Sequence, residues 1–285
     1  MTTHNPQETA ILYIVATPIG NLGDITQRAL KILAEVDLIA AEDTRHSHKL
    51  LNHMGIKTPL LSLHQFNEEA CTQQMLSRLQ KGATIALISD AGTPLIADPG
   101  YRLVQQAREH GVKVIPIPGP CALVTALCAA GLPTDKFSFE GFLPAKPGKR
   151  GAKLEALKHS THTIVLYEAP HRILELLEQL ITIFGPDRYV VVARELTKLY
   201  ESFVSGPVTK VLENFITHKE TQCGEFVVMI AGAPESPEDF DPAEAERILK
   251  LCAEELPMAA AAKLTAKILK INKNAVYQLS LKHDG

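Results

Sequence analysis

Four short stretches gather the residues that could seat a ligand and act on it. They are "TPIGNLGD" (17–24), "SDAGTPLIADPG" (89–100), "PIPGPCALVTAL" (116–127) and "ARELTKLYESFVSG" (193–206). In the middle two, Gly92, Gly100 and Gly119 let backbone approach a bound molecule with no Cβ in the way. Pro94, Pro99, Pro118 and Pro120 stiffen the same loops. The first stretch has the strand-turn-helix outline of a nucleotide-binding fold. Gly20 and Gly23 do not make G-x-G-x-x-G, however, so a pyrophosphate cradle is not expected there. One such loop is an ordinary tight turn. Three of them follow a strand on one edge of a sheet, and in open α/β sheets ligands bind outside the carboxyl ends of the strands.

The elements that must position these loops are legible in the apolar pattern. Runs rich in Ile, Val, Leu and Ala at 11–17, 37–42, 59–64, 83–89 and 112–117 predict strands buried on both faces. Helices are expected between them, near 25–35, 45–54, 67–81 and 99–110, and over 120–130. Asp24 or Thr26 can cap the first. This βαβ rhythm predicts a mostly parallel sheet with helices on both sides.

The second half reads as mixed α/β: a strand 163–168, a helix 170–184 with Ile173, Leu177, Leu180 and Phe184 on one face, strands 189–194, 200–205 and 225–231, and a helix near 207–217. "YESFVSG" and "RYVVVARE" are expected to be antiparallel neighbours. The segment "LPAKPGKRGAK" (143–153) reads as an exposed basic loop at a domain junction. The expected organisation is a first α/β domain over 1–143, a second over 144–232, an acidic, proline-rich linker over 233–242, and a small helical tail over 243–285. The tail has a helix-turn-helix outline, and a plain helical cap is the alternative.

At 285 residues the chain is long enough for two domains, and its net charge of −3 argues against general adhesion to nucleic acid or membrane. The start "MTTHNPQETA" is polar, and no apolar run reaches the roughly 18 residues of a membrane span. The five cysteines lack a C-x-x-C, which fits a reducing cytoplasm. His46, His48, His53 and His64 lack a matching acidic pattern, so no metal is expected.

Taken together, the motifs resemble the tetrapyrrole methylases, the class III S-adenosylmethionine-dependent methyltransferases. "AAEDTRHSHKLL", "SDAGTPLIADPGYRLV", "PGPCALVTAL", "YEAPHRI" and "ARELTKLYE" are similar to one branch of that family, which methylates the 2′-hydroxyl of a cytidine ribose in 16S, small-subunit ribosomal RNA. The resemblance covers roughly residues 10–232. It implies S-adenosylmethionine as methyl donor, held in a cleft between two α/β domains. It also implies 16S ribosomal RNA or the small ribosomal subunit as partner, a homodimer, and a cytoplasmic location. By the motif match the first turn closes a wall of that cleft through Pro18, Ile19 and Gly20. Donor contacts fall on Ala91, Gly92, Thr93 and Ile96, on Cys121 and Ala122, and on Glu168, Glu195 and Leu196. Two rival readings stay open. One is a methyltransferase for a tetrapyrrole precursor, although that branch often has "GPGD" where this chain has "TPIGNLGD". The other is a non-catalytic RNA-binding assembly factor.

Methyl transfer to a ribose hydroxyl needs oxygen, methyl and sulfur in line, and a base or cation that eases loss of the hydroxyl proton. Glu42, Asp43, Arg45 and His46 in "AAEDTRHS" and the cation Lys198 in "ARELTK" are the candidates. Asp43 is also placed to cap the helix that begins at Thr44. Arg45 can clamp a phosphate. Further positive surface for RNA is expected at Lys146, Lys149 and Arg150, and in the tail at Lys263, Lys267 and Lys270.

Overall fold

The computed structural model describes residues 10–64, 67–234, 241–269, 271 and 276. The five apolar runs of the first half become strands β1 (Ile11–Val15), β2 (Leu38–Ala41), β3 (Leu60–Ser62), β4 (Thr84–Ile88) and β5 (Lys113–Ile117). They pair in parallel in the order β3-β2-β4-β1-β5. Between them run α1 (Gln27–Glu35), α2 (Thr44–His53), α3 (Glu68–Gln80) and α4 (Tyr101–Glu109), with α5 (Ala122–Ala129) after β5. The strands lack polar alternation because both faces are covered. Leu12, Leu38, Ile85 and Leu87 pack with Leu103 and Ala107 of α4. Val15, Ile39, Ala86 and Ile88 pack with Ala29 and Leu33 of α1. Local capping fixes where helices start: Thr26 accepts from the Ala29 N–H, and Asp43 accepts from the Arg45 N–H.

The second sheet is mixed. Strands β6 (Phe137–Phe142), β7 (Thr163–Glu168), β8 (Tyr189–Arg194), β9 (Ser202–Pro207) and β10 (Phe226–Ile230) lie in the order β6-β7-β10-β8-β9. Its pairs are antiparallel except β6 with β7. The expected β8–β9 neighbours are present. Helix α7 (Ile173–Phe184) buries Ile173, Leu177, Leu180 and Phe184, as its spacing predicts. Helix α8 (Val208–Thr217) adds Val211 and Phe215 to the same core.

Three expectations need correction. The second sheet begins with β6, before the expected boundary at 143/144. "FSFEGF" hides its strand character because a bulge falls between Phe139 and Gly141, where Gly141 takes φ +62. The segment read as an exposed loop is instead largely helix α6 (Pro147–Leu157). Gly148 and Gly151 mask it, but Pro147 stands at the first turn, where its missing N–H does no harm. Arg150 is therefore no RNA contact. On α6 it faces α7, is 0% exposed, donates from Nε to Gln179 at 2.7 Å and forms an ion pair with Glu175. Lys146 and Lys149 are exposed.

By its contacts the chain forms two compact units, Met1–Lys158 with His162–Ala231, and His159–Thr161 with Gly232–Gly285. Both sheets lie in the first. In the second, α9 (Pro242–Glu255), capped by Asp241, pairs with α10 (Met258–Leu269) around Leu249, Ala261, Ala262 and Ala266. Most of the expected linker, 235–240, lies outside the described residues. So do Lys270 and most of the expected second helix of the turn motif.

Candidate functional site

The loops at the carboxyl ends of β1, β4 and β5 meet β7 and β10 around a cleft of about 440 Å³. Hydrogen bonds lace the three loops together. The Thr17 N–H donates to the Gly92 carbonyl at 2.9 Å, and the Gly92 N–H returns to Thr17 at 3.1 Å. Thr93 Oγ1 donates to the Pro120 carbonyl at 2.9 Å. Gly92 sits at φ +86, left-handed backbone that L side chains rarely adopt. Leu95 and Ala97 in the same loop are also left-handed, at φ 71 and 69, and Glu195 and Thr197 across the cleft at 51 and 65. Such strained residues cluster where surrounding structure holds a site in shape.

The residues expected to contact the donor mostly converge here. Ile19, Ala91, Gly92, Thr93 and Ile96 come from the first sheet's loops, Cys121 and Ala122 from the start of α5, and Glu168 and Leu196 from the second sheet. Two do not join them. Pro18 faces a neighbouring cavity beside α2. Glu195 lines neither space. Its Oε1 accepts from Lys198 Nζ at 2.9 Å and from the Glu225 N–H at 2.9 Å.

Lys198 also pairs with Glu225 at 3.0 Å, and its stem crosses Gly20 so closely that a Cβ there would lie 2.5 Å from Cγ. This explains the first turn: Gly20 leaves room for a lysine from the second sheet's loop. Burial works against the Lys198 charge, but its hydrogen bonds to Glu195 and Glu225 outweigh that and raise its pKa.

Four carboxylates line the cleft: Asp90, Asp98, Glu168 and Glu225. Its lining holds no Lys, Arg or His. Asp90 and Asp98 escape sequence reasoning, although both stand in "SDAGTPLIADPG", and an acid at a strand's end beside a glycine loop is a usable signal. Burial, with a smaller push from Asp90, raises the Asp98 pKa to about 6, against an opposing hydrogen bond with Ser89. Glu168 is 2% exposed. Its Oε1 accepts from the Ala169 N–H at 2.8 Å and pairs with Arg172 at 3.2 Å, while its buried Oε2 has no hydrogen-bond partner. Burial raises its pKa despite Arg172. Tyr167 closes the wall, accepting from the Leu123 N–H at 3.0 Å with Phe139 and Phe142 edge-on to its ring. A largely apolar cleft with buried, under-satisfied carboxylates suits an extended, mostly apolar cation.

The candidate acids at the end of β2 flank this space. The Asp43 N–H donates to Asp90 Oδ1 at 3.0 Å. Its own carboxylate pairs with Arg45 at 2.9 Å, and those hydrogen bonds lower its pKa to about 2. Glu42 is pushed up by burial first and then by Asp90, Asp98 and Asp43. Arg45 is almost fully exposed, and in the tail Lys263 and Lys267 are exposed on α10, opposite its buried alanines. Among the described residues no helix is long and apolar enough to cross a membrane.

Comparison with known proteins follows the same outline. The family described as Tetrapyrrole (Corrin/Porphyrin) Methylases matches residues 11–212, and the RsmI C-terminal HTH domain matches 239–284. A curated protein of Haemophilus influenzae, "Ribosomal RNA small subunit methyltransferase I", is 50% identical over 277 residues, 96% of this chain and 98% of that protein. A protein of the same name from Escherichia coli O157:H7 is 51% identical over 274 residues, 96% of each. Among solved structures, the uroporphyrin-III-C-methyltransferase of Thermus thermophilus superposes with a TM-score of 0.54 at 22% identity, covering 78% of this chain and 94% of that one, a likeness of fold alone.

Proposed function

Because this chain belongs to the tetrapyrrole (corrin/porphyrin) methylase family, we infer that it is an S-adenosylmethionine-dependent methyltransferase of small-subunit ribosomal RNA, acting on the 2′-hydroxyl of a cytidine ribose in 16S RNA. The observation that carries this reading is half identity, over nearly the full length, to relatives named for that RNA. The tail match at 239–284 supports it, since a small tetrapyrrole substrate gives no reason for such a tail. The test is incubation of the protein with labelled donor and unmethylated small ribosomal subunits, followed by nucleoside analysis. Label in 2′-O-methylcytidine is expected. Label in a porphyrin precursor and none in RNA would overturn the reading, and no donor binding at all would favour an assembly factor.

The cleft fits the donor. When bound, S-adenosylmethionine supplies an electrophilic methyl group on a positively charged sulfur. Asp98 offsets positive charge, with the Glu168 carboxylate buried behind the wall, Ile19, Ile96 and Leu196 exclude water, and the Gly92 loop admits backbone to close range. Laced loops hold these groups still, which favours alignment at the reacting centre. Of the candidate acids, Glu42 is the better proton acceptor, since a raised pKa makes a stronger base. Asp43, held near 2 by Arg45, keeps the start of α2 in place. Lys198 ties the second sheet's loop to Glu225 in the cleft wall. The substrate is the small subunit or its 16S RNA, and the working state is a cytoplasmic homodimer, which light scattering of the eluted protein checks. The exposure of Leu199, Tyr200 and Val124 supports a covered face.

Donor affinity should depend on pH through Asp98. A cation binds its ionised form better, so affinity should rise as pH climbs through about 6 and then level off. The fold responds in the opposite sense. A carboxyl whose folded pKa is raised loses stability as pH rises from its unfolded value to the folded one. Asp98→Asn should flatten both profiles, read by calorimetric titration and thermal melts from pH 4.5 to 8. An unchanged affinity profile in the variant would remove Asp98 from the donor site.

The tail gives a separate expectation. Lys263 and Lys267, four apart, share an exposed face of α10. Ending the chain at Ala233 should leave donor affinity intact, weaken RNA binding and flatten its salt dependence. Equal affinities and slopes would make the tail a structural cap.

A further inference from the structure

We propose that a second cavity beside the donor cleft seats the RNA nucleotide being methylated, with Lys49 binding its phosphate; this deepens the functional reading above and rests on it. The cavity, of about 360 Å³, is walled by Pro18 and Leu22 of the first turn and by His46, Lys49, Leu50 and His53 of α2. Those four helical positions are spaced i, i+3, i+4 and i+7, so they share one face. Asp90 lines this cavity and the donor cleft alike, so the two spaces adjoin.

Their charge balance differs. The donor cleft carries four carboxylates and no cation in its lining. The second cavity carries Lys49 and two histidines against Asp90 alone. The other cations around the site are held: Lys198 by Glu195 and Glu225, Arg172 by Glu168, Arg45 by Asp43. Among the described residues no ion pair holds His46, Lys49 or His53. A free ammonium facing a cavity forms strong charge-assisted bonds to a phosphate. Pro18, Leu22 and Leu50 offer the apolar wall that a sugar and base face need. A nucleotide seated there lies next to the cleft that holds the cationic donor, on the side where Glu42 and Asp90 stand.

The test compares Lys49→Ala, Lys49→Glu and Lys49→Arg with wild type, using small ribosomal subunits and labelled donor. Lys113→Ala is the control, an exposed lysine at the opposite, amino-terminal end of β5. Lys49→Ala should raise KM for the subunit about tenfold, and the log–log salt slope of RNA binding should flatten by about 0.7–0.9, the share of one phosphate contact. Lys49→Glu should do more, and Lys49→Arg should restore most of the loss. Turnover at saturation and donor Kd should stay within about twofold throughout, since only RNA binding loses a contact. An unchanged KM and salt slope in Lys49→Glu, with wild type still methylating RNA, overturns the cavity assignment and leaves the functional reading standing. A donor Kd that weakens in step with KM also overturns it, because Lys49 would then serve the donor. Wild type transferring no methyl to RNA overturns the functional reading itself.

Discussion

Gly92→Val is expected to weaken donor binding at least tenfold, about 1.4 kcal/mol, and to lower the melting temperature as well. Two effects add at this position. The backbone at φ +86 is left-handed, and a β-branched residue held there carries strain on the order of 1–3 kcal/mol. A Cβ built on Gly92 would also lie 3.2 Å from Ile19 Cγ2 and 3.7 Å from the Pro120 carbonyl. The extra methyls of valine must displace Ile19, itself part of the cleft wall, or intrude into the cleft. From the sequence alone, Gly92 promises only an open approach for a ligand, with folding little changed. The structure adds the strain, so a loss of several degrees in melting temperature is expected, at roughly 2–4 °C per kcal/mol for a chain of this size. Gly92→Ala separates the two effects, since it keeps most of the backbone strain and little of the bulk. Isothermal titration with the donor and thermal melts read both. A valine variant with native donor affinity would remove Gly92 from the donor site.

Glu168→Ala should be the most destabilising single change at the site. Glu168 is buried, and it is the carboxylate facing Arg172 Nε at 3.2 Å. Removing one partner of a buried ion pair costs about 3–5 kcal/mol, because the remaining charge is left uncompensated. That corresponds to a melting-temperature loss on the order of 10 °C. Glu168→Gln keeps the shape and an acceptor for the Ala169 N–H, so it should melt closer to wild type. It still lacks the negative charge buried behind the cleft wall. Donor affinity should therefore fall at least tenfold, about 1.4 kcal/mol, in a protein that remains folded. If Glu168→Ala melts like wild type, the Leu143 and Pro144 carbonyls that accept from Arg172 satisfy it without the carboxylate. If Glu168→Gln binds the donor normally, the carboxylate serves the fold alone.

Much of this protein was written in local sequence. Strands buried on both faces, such as "ILYIV" and "LIAA", announce a parallel sheet because neither face needs a polar residue. Thr26 and Asp43 mark helix starts because a cap is satisfied within three residues. The α7 stripe from Ile173 to Phe184 is a matter of helical period. The glycine loops that follow β4 and β5 locate the ligand-binding edge: Gly92 and Gly100 take left-handed backbone, and Gly119 passes so close to Ala16 that a Cβ has no room.

What the sequence did not determine lies in contacts between distant segments. Arg150 sits in a basic run that reads as exposed, and it is buried only because α6 forms and turns it toward Glu175 and Gln179. Strand β6 exists because β7 pairs with it across a bulge. Pro18 and Glu195 stand in motifs that match a donor site, yet tertiary packing gives the first to a neighbouring cavity and the second to Lys198. The carboxylate character of the cleft is likewise a tertiary property. Asp90 and Asp98 come from one loop, folded back through left-handed Leu95 and Ala97, while Glu168 and Glu225 arrive from another sheet. No window of sequence contains all four, and the burial that shifts Asp98 and Glu168 toward the protonated form arises only when the two sheets close the cleft around them.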